Sequence, residues 1–178
     1  MSVAGPNTAG TGADDASVGS QAWGTPGNIT ASDDTRTTVT VASGQTSHYL
    51  RASNFGFSIP AGATINGVKV EWERQISAGS GIIDSSVKLH DGTSVVGNEK
   101  SAGAAWTVGS DVFDSFGGSA DTWGATLTPT IINGSGFGAV LSAGQASLSG
   151  QAAVDSCRIT VTYTASGTQV QRTMTGAG

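Results

Sequence analysis

Ile65-Asn66-Gly67-Val68-Lys69-Val70-Glu71-Trp72-Glu73-Arg74 is the stretch on which the fold turns. From Val68 onward apolar and charged residues alternate with a period of two. Val68, Val70 and Trp72 fall on one face, and Lys69, Glu71 and Glu73 on the other. A strand with one face in a core and one in water has this pattern, and it favours antiparallel neighbours. Trp72 is therefore expected to be buried and Glu71 exposed.

The same reading extends in both directions. Upstream, Pro60-Ala61-Gly62 marks a turn after the alternating Phe55-Gly56-Phe57-Ser58-Ile59. His48-Tyr49-Leu50-Arg51 reads as a short strand, and Thr37-Thr38-Val39-Thr40-Val41 is β-branched throughout. Downstream, Ser86-Val87-Lys88-Leu89-His90 leads through Asp91-Gly92 into Ser94-Val95-Val96, a hairpin signal that leaves His90 facing outward. Ala105-Trp106-Thr107-Val108, the stretch through Phe113 and Phe116, Asp121-Thr122-Trp123 and Phe137-Gly138-Ala139-Val140-Leu141 continue the series. Thr128-Pro129 suits the start of one helical turn. The last good strand runs from Ala153 to Tyr163, with Cys157, Ile159, Val161 and Tyr163 on one face. No long segment has helical periodicity. Many short strands separated by turns predict an all-β fold, an antiparallel sandwich. A jelly-roll arrangement is favoured over an immunoglobulin-like one.

The organisation expected is an extended N-terminal arm over 1–22, a sandwich domain over 23–164 and a flexible C-terminal tail over 165–178. Both ends are polar and rich in Gly, Ala, Ser and Thr, too poor in apolar surface to offset their ordering entropy alone. Val3, Trp23, Val170 and Met174 stand out as isolated apolar residues that could dock on a partner.

Composition narrows the function classes. Eight Lys+Arg face 13 Asp+Glu, for a net charge of −5, and the cations are scattered singly. Phosphate backbones and anionic membrane surfaces both require clustered cations, so neither nucleic acid nor membrane is expected as a partner. The single cysteine excludes an intrachain disulfide. Met1-Ser2-Val3-Ala4-Gly5-Pro6 lacks the basic and apolar regions of a secretion signal, so synthesis in the cytoplasm is expected.

No motif reads as an active site. Glu71 and Glu73 share a strand face about 6.6 Å apart, within the range of glycosidase carboxylate pairs. Such pairs normally face each other across a cleft, and a solvated strand face is the simpler reading. His48, His90 and Cys157 are too few for a zinc set. Asp14-Asp15 and Asp33-Asp34 have oxygen donors suited to calcium but no EF-hand spacing, and solvated turns are the simpler account. Gly134-Ser135-Gly136-Phe137-Gly138-Ala139 matches a loose dinucleotide fingerprint but precedes a strand instead of opening a helix. No catalytic residue, metal site or cofactor is expected. Trp106 and Trp123, beside Gly- and Ser-rich turns, are the candidates for stacking on sugars, with core packing as the competing role.

The stretch from Asn54 to Arg74 resembles a recurrent segment of small Gly/Ser/Thr-rich β-sandwich virion proteins of tailed bacteriophages. Ser85-Ser86-Val87-Lys88-Leu89, Asp121-Thr122-Trp123-Gly124 with Pro129, Phe137-Gly138-Ala139-Val140 and the run Val154 to Tyr163 fit the same pattern. The resemblance implies assembly and not catalysis: a capsid decoration, or cement, protein in the virion. Its partners would be the major capsid protein or other virion proteins. Its expected state is a homo-oligomer, with a trimer as the guess. The alternative is a carbohydrate- or receptor-binding module of a tail fibre or baseplate.

Overall fold

The alternation around Trp72 belongs to a strand that runs well beyond it, Thr64–Gly79. The structure, a computed structural model, describes residues 1–145 and 148–166. Along the chain the strands are β1 (Ser2–Thr8), β2 (Thr11–Asp15), β3 (Thr37–Val41), β4 (Tyr49–Ser53), β5 (Thr64–Gly79), β6 (Ile82–Asp91), β7 (Val95–Val96), β8 (Val112–Gly117), β9 (Phe137–Gln145) and β10 (Gly150–Thr164). They form two five-stranded antiparallel sheets. The first has the order β1-β10-β5-β8 with β3 also on β10, and the second β2-β4-β9-β6-β7. Among the described residues, helix is confined to one 3-10 turn at Pro26–Ile29 and one α-turn, α1, at Pro129–Asn133. Thr128 caps α1, its hydroxyl accepting the Ile131 N–H at 3.3 Å.

Residues 1–22 do not stand apart from the sandwich as a separate arm. β1 pairs with the second half of β10, from Ser2↔Tyr163 to Thr8↔Arg158. β3 pairs with the first half, from Gly150↔Val41 to Val154↔Thr37. β2 then crosses to the other sheet and pairs with β4. The only large apolar residues of the segment are Met1, Val3 and Val18, so composition hides it. Its stabilisation comes from backbone ladders and from Asp14, which accepts the Trp23 N–H at 2.8 Å and pairs with His48 Nδ1 at 2.8 Å. Trp23 is 4% exposed and donates from its ring to the His48 carbonyl.

The inner faces meet in one core that includes Val68, Val70 and Trp72 of β5, Val87 and Leu89 of β6, Leu141 of β9 and Ile159 and Val161 of β10. One expectation fails on the strand that decided the fold: Glu71 is 6% exposed instead of solvated. Arg74 is 2% exposed. Arg74 keeps the inward parity of Trp72 and reaches across to the facing sheet. Its Nη2 donates to Asp84 Oδ2 of β6 at 3.1 Å and lies 3.0 Å from Asp114 of β8. Asp84 also accepts the Trp106 ring N–H at 3.0 Å, and the guanidinium stacks 4.6 Å from that ring.

Phe55, Phe57 and Ile59 are buried, but their segment lies outside the ladders. Asn133 brackets Ile59 there, accepting its N–H at 2.7 Å and donating to its carbonyl at 2.9 Å, so one amide stands in for a strand partner.

Candidate functional site

The outer face of the second sheet has a pocket of about 480 Å³ lined by residues of β2, β4, β6 and the β6–β7 turn. Lys88 and His90 reach it because β6 alternates, with Val87 and Leu89 turned to the core. Asp15 enters from β2, with Ser17 and Val18 just after it, and Tyr49 enters from β4, so a third of the pocket wall depends on the N-terminal pairing. Asp15 accepts the Ser17 N–H at 2.9 Å, and its carboxyl lies below its usual range, chiefly through hydrogen bonding to Ser17. The Tyr49 hydroxyl lies 3.1 Å from Ser86 Oγ, which donates to Glu99 at 2.6 Å.

His90 is 4% exposed, a correction to the surface position expected of it. Its Nδ1 accepts the Gly92 N–H at 3.0 Å, which assigns the proton of the neutral ring to Nε2. Burial holds its pKa below the ordinary value, and the nearby Arg51 charge adds to the effect. The ring is thus a neutral donor at neutral pH. Together the pocket offers a carboxylate, an ammonium and hydroxyls around one aromatic ring, a donor and acceptor set suited to a small polyhydroxylated ligand.

The residues singled out in the sequence lie elsewhere. Trp106 is 3% exposed and Trp123 is fully buried, so neither ring has a free face for a sugar. Trp123 donates to the Val68 carbonyl at 2.8 Å, and its ring nitrogen is so close to Gly117 that a Cβ there would sit 2.4 Å away. Val3 is exposed on β1, at the edge of the first sheet. Trp23 is internal, and Val170 and Met174 lie outside the described residues.

Glu71 and Glu73 share the outer face of the first sheet in different states. Burial raises the Glu71 carboxyl, but hydrogen bonds from Arg158 and Lys69 outweigh it and leave the group below its usual range. Arg158 approaches both Glu71 oxygens at 3.2 Å, and Lys69 lies at 3.1 Å. Glu73 is pushed up by burial and by the neighbouring Asp155 and Asp111. Glu71 is thus closed off by its cations.

The residues of the pocket were visible in the sequence only as outward positions of separate strands. Their convergence depends on β2 joining β4, which no local pattern encodes. Comparison with protein-family models, with curated proteins and with solved structures gave no match.

Proposed function

We propose that this chain is a structural virion protein of a tailed phage, a decoration protein that attaches to the capsid by protein–protein contact. The observation that carries the reading is the placement of the two ends of the domain. Ser2 pairs with Tyr163, so the N-terminus and the end of β10 leave the sandwich side by side at one pole. Met1 and Val3 are exposed there, at 87% and 63%. A two-sheet body with its N-terminus and the end of β10 at one pole suits attachment through that pole while the opposite pole faces solvent. The sequence resemblance over Asn54 to Arg74 supports the same reading.

The strand order supports a jelly roll. From β3 onward successive strands alternate between the sheets except at the β6–β7 hairpin, giving β3-β10-β5-β8 facing β4-β9-β6-β7. Eight strands in two sheets is the jelly-roll inventory.

The test is attachment to purified particles. The full chain is expected to bind at a fixed copy number and to run as a homo-oligomer, a trimer in the simplest case. Val3→Asp should weaken attachment at least about tenfold, a difference of about 1.4 kcal/mol, with the melting temperature unchanged. Full-strength binding by Val3→Asp removes the pole from the interface, and failure of the full chain to bind any particle removes the decoration reading.

A second reading, a sugar-binding module of a tail fibre or baseplate, is favoured by the pocket at Tyr49, Lys88 and His90. Glycan-array binding lost in Lys88→Ala would favour it over decoration.

A further inference from the structure

We infer that the outer face of the first sheet holds a divalent cation site, suited to calcium, built by Asp34, Asp111 and Asp155 with Glu73 beside them. Each comes from a different element: the loop before β3, the residue before β8, the middle of β10, and β5. Carboxylate oxygens of the three aspartates lie within 4.8 Å of one another. Two oxygens bound to one calcium ion at about 2.4 Å can be at most that far apart.

The register explains the convergence. β10 carries an irregularity between Val154 and Ser156, so Asp155 is the extra residue there, opposite Arg74 and Glu73. Bulges re-aim a side chain out of the regular alternation. Glu73 pairs with Ser156 on one side and with Phe113 on the other, which seats it between Asp155 and Asp111.

A second observation separates this group from an ordinary acidic surface. Asp155 is 1% exposed. Its Oδ2 accepts the Asp34 N–H at 3.2 Å, while its Oδ1 is buried with no hydrogen-bond partner among the described residues. Glu73 Oε2 is in the same condition. A buried carboxylate oxygen without a donor is expensive, and the expense is resolved by pairing or by metal coordination. Arg36 supplies part of the pairing, its Nε donating to Asp111 at 2.8 Å and its Nη2 contacting Asp34. Arg36 within the cluster and Arg158, which acts on Glu73 from beside it, leave the four carboxylates in excess, and no hydrogen bond reaches the orphaned Asp155 oxygen. Hard oxygens in surplus negative charge are the ligands calcium takes. Magnesium, with bonds near 2.0–2.1 Å and strict octahedral demands, fits this spacing less well.

The site is independent of the capsid reading and is tested on the full chain with metal alone. After chelator treatment, calcium chloride is titrated by calorimetry up to about 10 mM, tenfold above the weakest extracellular calcium modules. One ion per chain is expected. At a hundredfold excess over the dissociation constant the melting temperature should rise by about 5–10 °C. Magnesium should bind at least about tenfold more weakly. Asp155→Asn keeps an acceptor for the Asp34 N–H and should remove the calcium shift, while Lys88→Ala on the opposite sheet should keep it. Should Asp155→Asn fail to fold, Asp111→Asn at its partly exposed position gives the same reading. Absence of both heat and a melting shift in the unaltered chain overturns the site. So does unchanged binding in Asp111→Asn and Asp155→Asn.

Discussion

Arg74 shows how much one side chain can depend on its surroundings. It lies between the sheets, held by Asp84 and Asp114 and stacked on Trp106. Burial disfavours its charge, lowering its pKa, and the two aspartates offset this. Removing one member of a buried pair leaves the other unpaired, so Arg74→Ala should cost about 3–5 kcal/mol in urea unfolding. The double change Arg74→Met with Asp84→Leu should recover most of that loss, since apolar replacement of a whole pair is often neutral. An equal or larger loss in the double variant would mean that the pair is needed for packing and not merely tolerated. Trp72→Ala should cost about 3–5 kcal/mol as a large cavity. Glu71→Ala should cost about 1–2 kcal/mol, because it accepts charged hydrogen bonds but its cations stay near water. His90 brings a pH dependence. Its native pKa lies below 6.5 for lack of water around the ring, so the unfolded chain takes up the proton first. Its contribution is complete above about pH 6.5 and is lost as the pH falls from there through the lowered native value. His90→Gln should flatten the melting temperature between pH 7.5 and 5.5.

At the scale of elements, the edges carry the new information. Deleting residues 1–15 removes β1 and β2 and exposes the backbone of β10 and β4. Each lost ladder bond costs about 0.5–1.5 kcal/mol, so the truncated chain should melt well below the full one and associate through its uncovered edges. Unchanged melting would restore the picture of a detachable arm. β9 is the opposite case, a central strand buried from Phe137 to Gln145. It tolerates this by using small residues on its outer face. At Gly138 a Cβ would lie 1.8 Å from the Ala52 carbonyl of β4. Gly138→Ala should therefore destabilise by at least about 1–3 kcal/mol, the usual range for forced overpacking.

Over the whole molecule, the first strand closes on the last. Ser2 waits for Tyr163, and β3 waits for the first half of β10. Non-local pairing of this kind slows folding, so refolding should take milliseconds to seconds and not microseconds. Stopped-flow tryptophan fluorescence checks this, since all four tryptophans are buried. The pole where Ser2 meets the end of β10, the pocket on the second sheet and the carboxylates on the first are three separate surfaces. Attachment, glycan binding and calcium binding can therefore be scored independently by Val3→Asp, Lys88→Ala and Asp155→Asn.

The sequence by itself determined what depends on near neighbours in the chain. Alternation at Val68, Val70 and Trp72 made the strand and chose its inward face, and Thr128-Pro129 placed the helical turn. These are properties of backbone geometry and side-chain parity, both readable at short range. Only the tertiary structure decided what depends on residues far apart. It docked Ser2–Thr8 and Thr11–Asp15 as edge strands through backbone bonds that leave no apolar signature. It covered Glu71 with Arg158, sent Arg74 across the sandwich to Asp84, and closed Trp106 and Trp123 away from any ligand. It also brought Asp34, Asp111 and Asp155 together through one extra residue in β10. The physical reason is common to all of these: backbone ladders and charge pairs form between partners whose separation in sequence carries no trace of their contact.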